Sequence, residues 1–434
     1  MQPTSIDLLI HGAAELATSI GTKARGGKLL GEIRVLRDAA VAIRGETIVE
    51  VGPQAELRRR YTAKRELDAR GGTLVPGFVD AHTHPVFTTT REDEFELRTR
   101  GATYIDIAAA GGGILSTSRG VRAASVEQLA QRLGVHLERF AALGTTTVEA
   151  KTGYGLSLDS ELKCLQAIAS ARREHALDVV PTFLGAHDFP LEYRERKADY
   201  VQLVIEEMLP EVAQSKLAEY CDVFTEGIAF SLDDSRRILQ RARALGLGLR
   251  LHVDQLTPLG GAELAAELGA ASADHLEHVS ERGIEALRDA NVVPVLCPLV
   301  PLFLRQEREA PARRMIDAGL AVAISTDFNP GSCYLQSMPE VMSWAALRSR
   351  MSAAECLTAA TLNAACSLGR GARTGTLEAG KRADVLVLDL PNHKHLVYEL
   401  GRNPVRDVVC AGRVLARSQR GDDQARTTAS ALQP

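Results

Sequence analysis

His82-Thr-His84 closes the apolar run 74–79 in a chain of 434 residues that holds eleven histidines. Side chains at i and i+2 of a strand point to one face, so both imidazoles of such a pair can reach one metal ion. The spacing alone is weak, and the chain supplies a control. His393-Lys-His395 has the same spacing in a polar stretch with no partners nearby, and it reads as a surface loop. The first pair differs in its company. Lys151-Thr-Gly-Tyr154, His187, Glu226, His252 with Asp254, His275 and Asp327-Phe-Asn329 each follow an apolar, strand-like run. Two histidines from one strand, a third from another and a carboxylate suit Zn²⁺ or Fe²⁺. Such an ion lowers the pKa of a bound water toward ~7 and polarises a carbonyl or amidine carbon. Blander roles compete: His252 as a satisfied core histidine, Asp327 as a helix cap beside Asn329-Pro330-Gly331, and His275 paired with Asp274. His11, His136, His175 and His278 read as surface or helix positions.

The elements that must position these groups follow a regular rhythm. Eight strand-like runs, 74–81, 145–150, 179–184, 221–226, 248–253, 271–276, 292–296 and 321–326, alternate with stretches of 3.6-residue periodicity such as 126–143, 160–175 and 233–245. Repeated strand–helix alternation favours a parallel sheet, and eight units suggest closure into a (β/α)8 TIM-type barrel. An open doubly wound sheet is the competitor, because periodicity cannot show closure. In a parallel barrel, functional groups collect at the C-terminal strand ends, where the residues above lie. Strand character at 6–10, 39–43 and 47–51 returns at 383–388 and 407–414. The chain is therefore expected to divide into an α/β barrel, 77–374, and a small flanking β domain built from both ends, 1–76 with 375–417. The polar segment 418–434 reads as a disordered tail.

Composition narrows the class. Hydrophobic residues at 45 % and charged ones at 24 % describe a globular protein with a large core. A net charge of −4 and 4 % aromatics argue against a nucleic-acid or anionic-membrane binder. Seven scattered cysteines without a CxxC pair read as reduced thiols. The first sixteen residues lack the cationic start and apolar run of a signal peptide, and the longest apolar stretch, 292–304, contains three prolines. A cytoplasmic protein is expected.

The segment Pro76-Gly-Phe-Val-Asp-Ala-His-Thr-His84 resembles the strand-one signature of the amidohydrolase superfamily, and 375–388 resembles the return into its flanking β domain. Further matching segments are 94–98 with Gly101-Ala-Thr-Tyr104, Ala110-Gly-Gly-Gly-Ile114, 148–155 with its Gly-Tyr-Gly, 182–187, 272–277 and Thr326-Asp-Phe-Asn-Pro-Gly-Ser332. They are similar to the family within it that acts in histidine degradation. The resemblance implies hydrolysis of 4-imidazolone-5-propanoate to N-formimino-L-glutamate by a homodimer with one Zn²⁺ or Fe²⁺/Fe³⁺ per chain. It implies His82, His84, His252 and Asp327 as metal ligands. It also implies Arg91, Tyr154, His187, Asn329, Gly331 and Ser332 as substrate-binding residues. Arg91 is physically apt, since guanidinium binds carboxylate bidentately. The alternatives are a nucleobase-type deaminase or other cyclic amidohydrolase, whose uncharged substrate needs no such anchor, and a silent scaffold, which would have broken ligands.

Two positions depart from common superfamily patterns. Some members carry a carbamylated strand lysine bridging two metals; Lys151 follows strand two but lacks a clear second ligand set, which favours one metal. Many mononuclear relatives have Glu three residues after the strand-five histidine, where this chain has Gln255. An amide cannot exchange a proton near neutral pH, so Gln255 is expected to bind substrate. The catalytic proton transfers then fall to His275 and Asp327.

Overall fold

The structure, a computed structural model, describes residues 3–102 and 112–417. The expected tail 418–434, and Thr103, Tyr104, Ala110 and Gly111 of the quoted segments, lie outside the described residues. The strands in chain order are β1 (Thr4–Thr18), β2 (Arg34–Arg44), β3 (Thr47–Pro53), β4 (Tyr61–Asp68), β5 (Thr73–Pro76), β6 (Phe78–Asp80), β7 (Thr145–Lys151) and β8 (Asp178–Ala186). They continue as β9 (Tyr220–Thr225), β10 (Gly248–Val253), β11 (Ser272–His275), β12 (Val293–Leu296), β13 (Ala323–Ile324), β14 (Val385–Leu388), β15 (Val405–Cys410) and β16 (Arg413–Arg417).

Strands β6 to β13 form one parallel sheet in strictly sequential order. The chain closes it beyond the last ladder. The Asp327 N–H donates to the His82 carbonyl at 3.0 Å and the His84 N–H to the Phe328 carbonyl at 2.8 Å. A parallel bridge joins Thr83 and Phe328. This seam makes a nearly closed barrel and excludes the open sheet. Amphipathic helices, among them Val126–Ala142, Leu158–Glu174 and Leu232–Ala244, pack outside through Leu133, Leu137, Leu165, Ile168 and Ile238. The first of them opens on a reciprocal capping box between Ser125 and Gln128.

The run expected as one strand over 74–81 is two. Gly77 stands at the break, packed so closely on Thr146 that a Cβ there would overlap that side chain. Before the break, β5 pairs with β1 and β14; after it, β6 opens the barrel. The second sheet runs β16-β15-β14-β5-β1-β2-β3, with β4 beside β1, and so draws on both chain ends. Its β1 is longer than the run 6–10 because a bulge between Ile10 and Ala13, with Gly12 at φ +70, resets the alternation and hides the continuation.

One expectation about histidines is corrected. His393 is not on a surface loop: it is buried, with Nδ1 2.7 Å from the Glu15 carboxylate, which ties the segment after β14 to β1. His136 lies on a helix but is fully buried, its Nδ1–H donating to the Pro85 carbonyl at 2.8 Å. The seven cysteines are unpaired, six of them buried. No helix among the described residues is long and apolar enough to cross a membrane.

Candidate metal centre and substrate cavity

The Asp80 carboxylate at the end of β6 accepts the Thr326 N–H at 3.0 Å, the Thr326 hydroxyl at 2.6 Å and the Ser325 hydroxyl. Ser325 Oγ in turn accepts the His82 N–H at 2.7 Å. This buried lattice joins β6 to the segment after β13 and fixes how His82 and His84 face Asp327.

Five side chains converge there. His82 Nε2 and His84 Nε2 each stand 3.5 Å from Asp327 Oδ1, and His252 Nε2 is 3.2 Å from His84 Nε2. A ring nitrogen of His275 lies within 4.8 Å of those of His82 and His252. The far sides of two rings are taken: His82 Nδ1–H donates to Asp274 Oδ2 at 2.6 Å, and His252 Nδ1–H to Asp222 Oδ2 at 3.0 Å. A carboxylate accepts only, so the Nε2 lone pairs of both rings point inward. Burial holds the pKa of His82, His84 and His252 below the usual imidazole range. His82 Nε2, His84 Nδ1 and Asp327 Oδ1 are buried without a hydrogen-bond partner among the described residues. Burial pushes the Asp327 carboxyl up to about 7. Neutral rings and an unsatisfied carboxylate around one point are what a divalent cation needs, so the donor set fits a metal.

Beneath the centre lies a buried ionic cluster that sequence reasoning did not assemble. Lys151 Nζ is 2.6 Å from Asp222, 2.8 Å from Glu149 and 3.7 Å from Asp274. Arg250 joins Glu149 at 2.9 Å and Asp274 at 3.3 Å. With Asp327, four carboxylates face two cations, a surplus of negative charge that a divalent cation would offset. Burial opposes the charge on Lys151, but Asp222 and Glu149 hold its pKa above the ordinary value. Its ammonium is thus engaged as an ion-pair partner. The available signal was the set of charged residues interrupting apolar strand runs.

Above the centre opens a cavity of about 580 Å³, lined by His84, His252, His275 and Asp327. Arg91, Tyr154, His187, Gln255, Asn329, Gly331 and Ser332 all line it too, whereas His82 lies fully buried beneath. The Arg91 guanidinium occupies the space a Cβ on residue 331 would fill, so a side chain there would displace the guanidinium. Arg91 Nε is 3.7 Å from Glu94, and Arg91 Nε and Nη1 are buried without a hydrogen-bond partner among the described residues. His187 donates Nδ1–H to the Gly153 carbonyl at 2.9 Å, and burial takes its pKa down to about 3, leaving Nε2 as an acceptor. Asn329 turns its amide inward on its own loop, donating to the Asp327 carbonyl and to Ser332 Oγ and accepting the Gly331 and Ser332 N–H groups. Ser332 Oγ reaches Asp327 Oδ2 at 3.2 Å.

Asp254 does not join the site. Its carboxylate accepts the N–H groups of Leu259, Gly260, Gly261 and Ala262 and so caps the next helix. Glu226 likewise holds the backbone N–H groups of Gln255 and Leu256. His275 takes positive φ (+79), and its Nδ1, without a hydrogen-bond partner among the described residues, lies 3.9 Å from Glu277. Despite burial, Glu277, Asp327 and Asp274 raise its pKa.

Comparison with known proteins agrees with this geometry. The amidohydrolase family matches residues 73–415, and an imidazolonepropionase-like composite domain of bacteria matches 39–63. The imidazolonepropionase of Symbiobacterium thermophilum is 49 % identical over 414 residues, covering 94 % of this chain and 97 % of the relative. That of Solibacter usitatus is 49 % identical over 413 residues, covering 95 % and 99 %. In fold, the chain is similar to a zinc-bound adenosine deaminase of Xanthomonas campestris, with a TM-score of 0.71 at 23 % identity, covering 99 % of this chain and 98 % of that one. It is also similar to the guanine deaminase of E. coli, with a TM-score of 0.71 at 15 % identity, covering 95 % and 100 %.

Proposed function

The chain belongs to the amidohydrolase family and, within it, to the imidazolonepropionases, hydrolases of histidine degradation, and we propose how its residues divide the work on 4-imidazolone-5-propanoate. The observation that carries the assignment is Arg91: a buried guanidinium, short of partners, on the wall of a cavity that opens over the metal-type cluster. Arg91 binds the propanoate carboxylate, which fixes one end of the substrate and leaves the ring over the histidines. His82, His84, His252 and Asp327 hold one Zn²⁺ or iron ion per chain. When bound, that ion supplies Lewis acidity and an acidified water.

The remaining steps belong to side chains. Tyr154 and Gln255 orient the ring by hydrogen bonds, and the His187 Nε2 lone pair accepts a ring N–H. Gly331 keeps the space that Arg91 occupies, while Asn329 and Ser332 hold the loop that carries Asp327. Asp327 takes the proton lost as water adds to the ring carbonyl. His275, kept protonatable by Glu277, delivers a proton to the ring nitrogen as its bond to that carbon breaks. The product is N-formimino-L-glutamate.

The test is incubation with freshly made 4-imidazolone-5-propanoate, following the loss of its ultraviolet absorbance. Turnover that disappears on chelation and returns with about one Zn or Fe per chain supports the assignment. No turnover with full metal, or a reproducible two metals with a carbamylated Lys151, overturns it.

A further inference from the structure

Tyr154 and His187 line the substrate cavity, where the His187 ring stacks on that of His84 with 5.0 Å between centroids. Both also meet the turn 153–156 between β7 and the helix Leu158–Glu174: Tyr154 lies in it, and His187 Nδ1–H donates to its Gly153 carbonyl. That turn is strained: Gly153 has φ +104 and Leu156 φ +52. A Cβ at Gly155 would come within 2.7 Å of the Glu161 backbone nitrogen. One fully buried side chain organises it. Glu161 Oε2 accepts the Gly153 N–H at 3.1 Å and Oε1 accepts the Leu156 N–H at 2.8 Å, so the carboxylate grips the chain on both sides of Tyr154. The Thr152 hydroxyl also donates to it, while Thr152 Oγ1 accepts the Leu184 N–H at 2.9 Å. From outside, Arg122 holds the Gly155 and Leu156 carbonyls at 2.7 and 2.9 Å. The Gly153 backbone links Glu161 and His187: its N–H is on Glu161, and its carbonyl, in the next peptide group, accepts His187 Nδ1–H.

We propose that Glu161 is a positioning residue for the hydrolysis: by gripping the turn around Tyr154 it sets the phenol in the cavity and, through the Gly153 backbone, holds the carbonyl that fixes the His187 tautomer offering Nε2 to the substrate. The proposal rests on Tyr154 and His187 as substrate-binding residues. A carboxylate suits the post because two oxygens serve several N–H and O–H donors at once, whereas the isosteric amide keeps one acceptor and turns a donor toward another donor.

The experiment compares Glu161→Gln with the parent enzyme, both metal-loaded. KM for 4-imidazolone-5-propanoate should rise roughly tenfold while kcat stays within about threefold. Metal content should not change. The histidine side-chain ¹⁵N spectrum should lose the single-tautomer signature of His187. In a background that carries both His187→Ala and Tyr154→Phe, Glu161→Gln should add less than about twofold, because its effect runs through those two side chains. If His187→Ala and Tyr154→Phe raise KM but Glu161→Gln does not, or if its effect multiplies in full with the combined His187→Ala and Tyr154→Phe change, the proposal is overturned alone. If neither His187→Ala nor Tyr154→Phe moves KM, the substrate-binding assignment fails and takes the proposal with it. Should Glu161→Gln not fold, Arg122→Ala frees the same turn from its solvent side. A KM-selective loss there supports the proposal, and an unchanged KM overturns it.

Discussion

His82 and Asp327 meet twice across the seam that closes the barrel: the Asp327 N–H donates to the His82 carbonyl at 3.0 Å, and His82 Nε2 stands 3.5 Å from Asp327 Oδ1. Closing the fold and bringing two ligand-type side chains face to face are therefore one event. The first and last strands carry no continuous ladder between them, so short polar links do the closing. Asp80 supplies three of these, with Ser325 and Thr326 as its donors.

Asp80→Asn tests that coupling. The amide keeps the shape but turns one acceptor into a donor facing a hydroxyl, which should cost about 1–3 kcal/mol of stability. The same change should loosen the register of His82 against Asp327. Denaturant unfolding and metal content after dialysis against a chelator should both fall. Lower stability with undiminished metal retention would show that the seam and the site are independent.

Arg91→Ala should cost roughly 10- to 150-fold in kcat/KM for the propanoate substrate, the usual worth of a buried charge-assisted pair. An analogue lacking the carboxylate should lose less than about twofold in the same variant. Equal losses on both would mean that Arg91 supports the loop at Gly331, against which it packs, and binds no carboxylate.

The sequence made the barrel and the five converging side chains legible because each group stands just after an apolar run, where a parallel barrel gathers its chemistry. Physical coincidence hid the rest. Gly77 divides one apolar run between two sheets, and Leu74-Val75 before that break looks much like Phe78-Val79 after it. Asp254 follows His252 at the i+2 spacing of a shared strand face, but at φ +49 it leaves the strand and caps a helix. Asp222, Asp274, Glu149 and Arg250 lie inside strands far apart in sequence; their assembly is a product of the closed barrel and has no local pattern. Glu161 reads as an ordinary acidic residue in a first helical turn, and only the path of the turn 153–156 reveals its task.

His136 predicts a pH dependence of stability. Burial lowers its pKa from 6.5 to about 4, so the folded protein binds fewer protons than the unfolded chain between those values. Stability is then fully present above about pH 6.5 and is lost as pH falls toward 4, by about 3 kcal/mol in total. His136→Gln should flatten that part of the curve, measured by urea unfolding of metal-depleted protein at pH 7.5 and 4.5. The same acid loss in both proteins would assign the effect to other groups.

The last prediction separates Gln255 from His275. Both line the cavity, and a carboxylate in place of Gln255 would be the obvious proton carrier. The amide has no ionisable proton near neutral pH, and its backbone N–H is already committed to Glu226 at 2.7 Å, so its side chain can orient the substrate and nothing more. His275 is placed differently: its ring lies 5.0 Å from that of His82 and its Nδ1 3.9 Å from Glu277, whose carboxylate favours the protonated form against the cost of burial. Gln255→Ala should therefore mainly raise KM. His275→Asn should lower kcat by roughly two to four orders of magnitude, the usual worth of a general acid–base group. Metal content must be measured in each variant, because His275 also stands within reach of the ligand nitrogens. A near-normal kcat in His275→Asn with full metal would remove His275 from proton transfer and leave Asp327 as its sole carrier. A kcat loss that follows metal loss in proportion would make His275 a ligand instead.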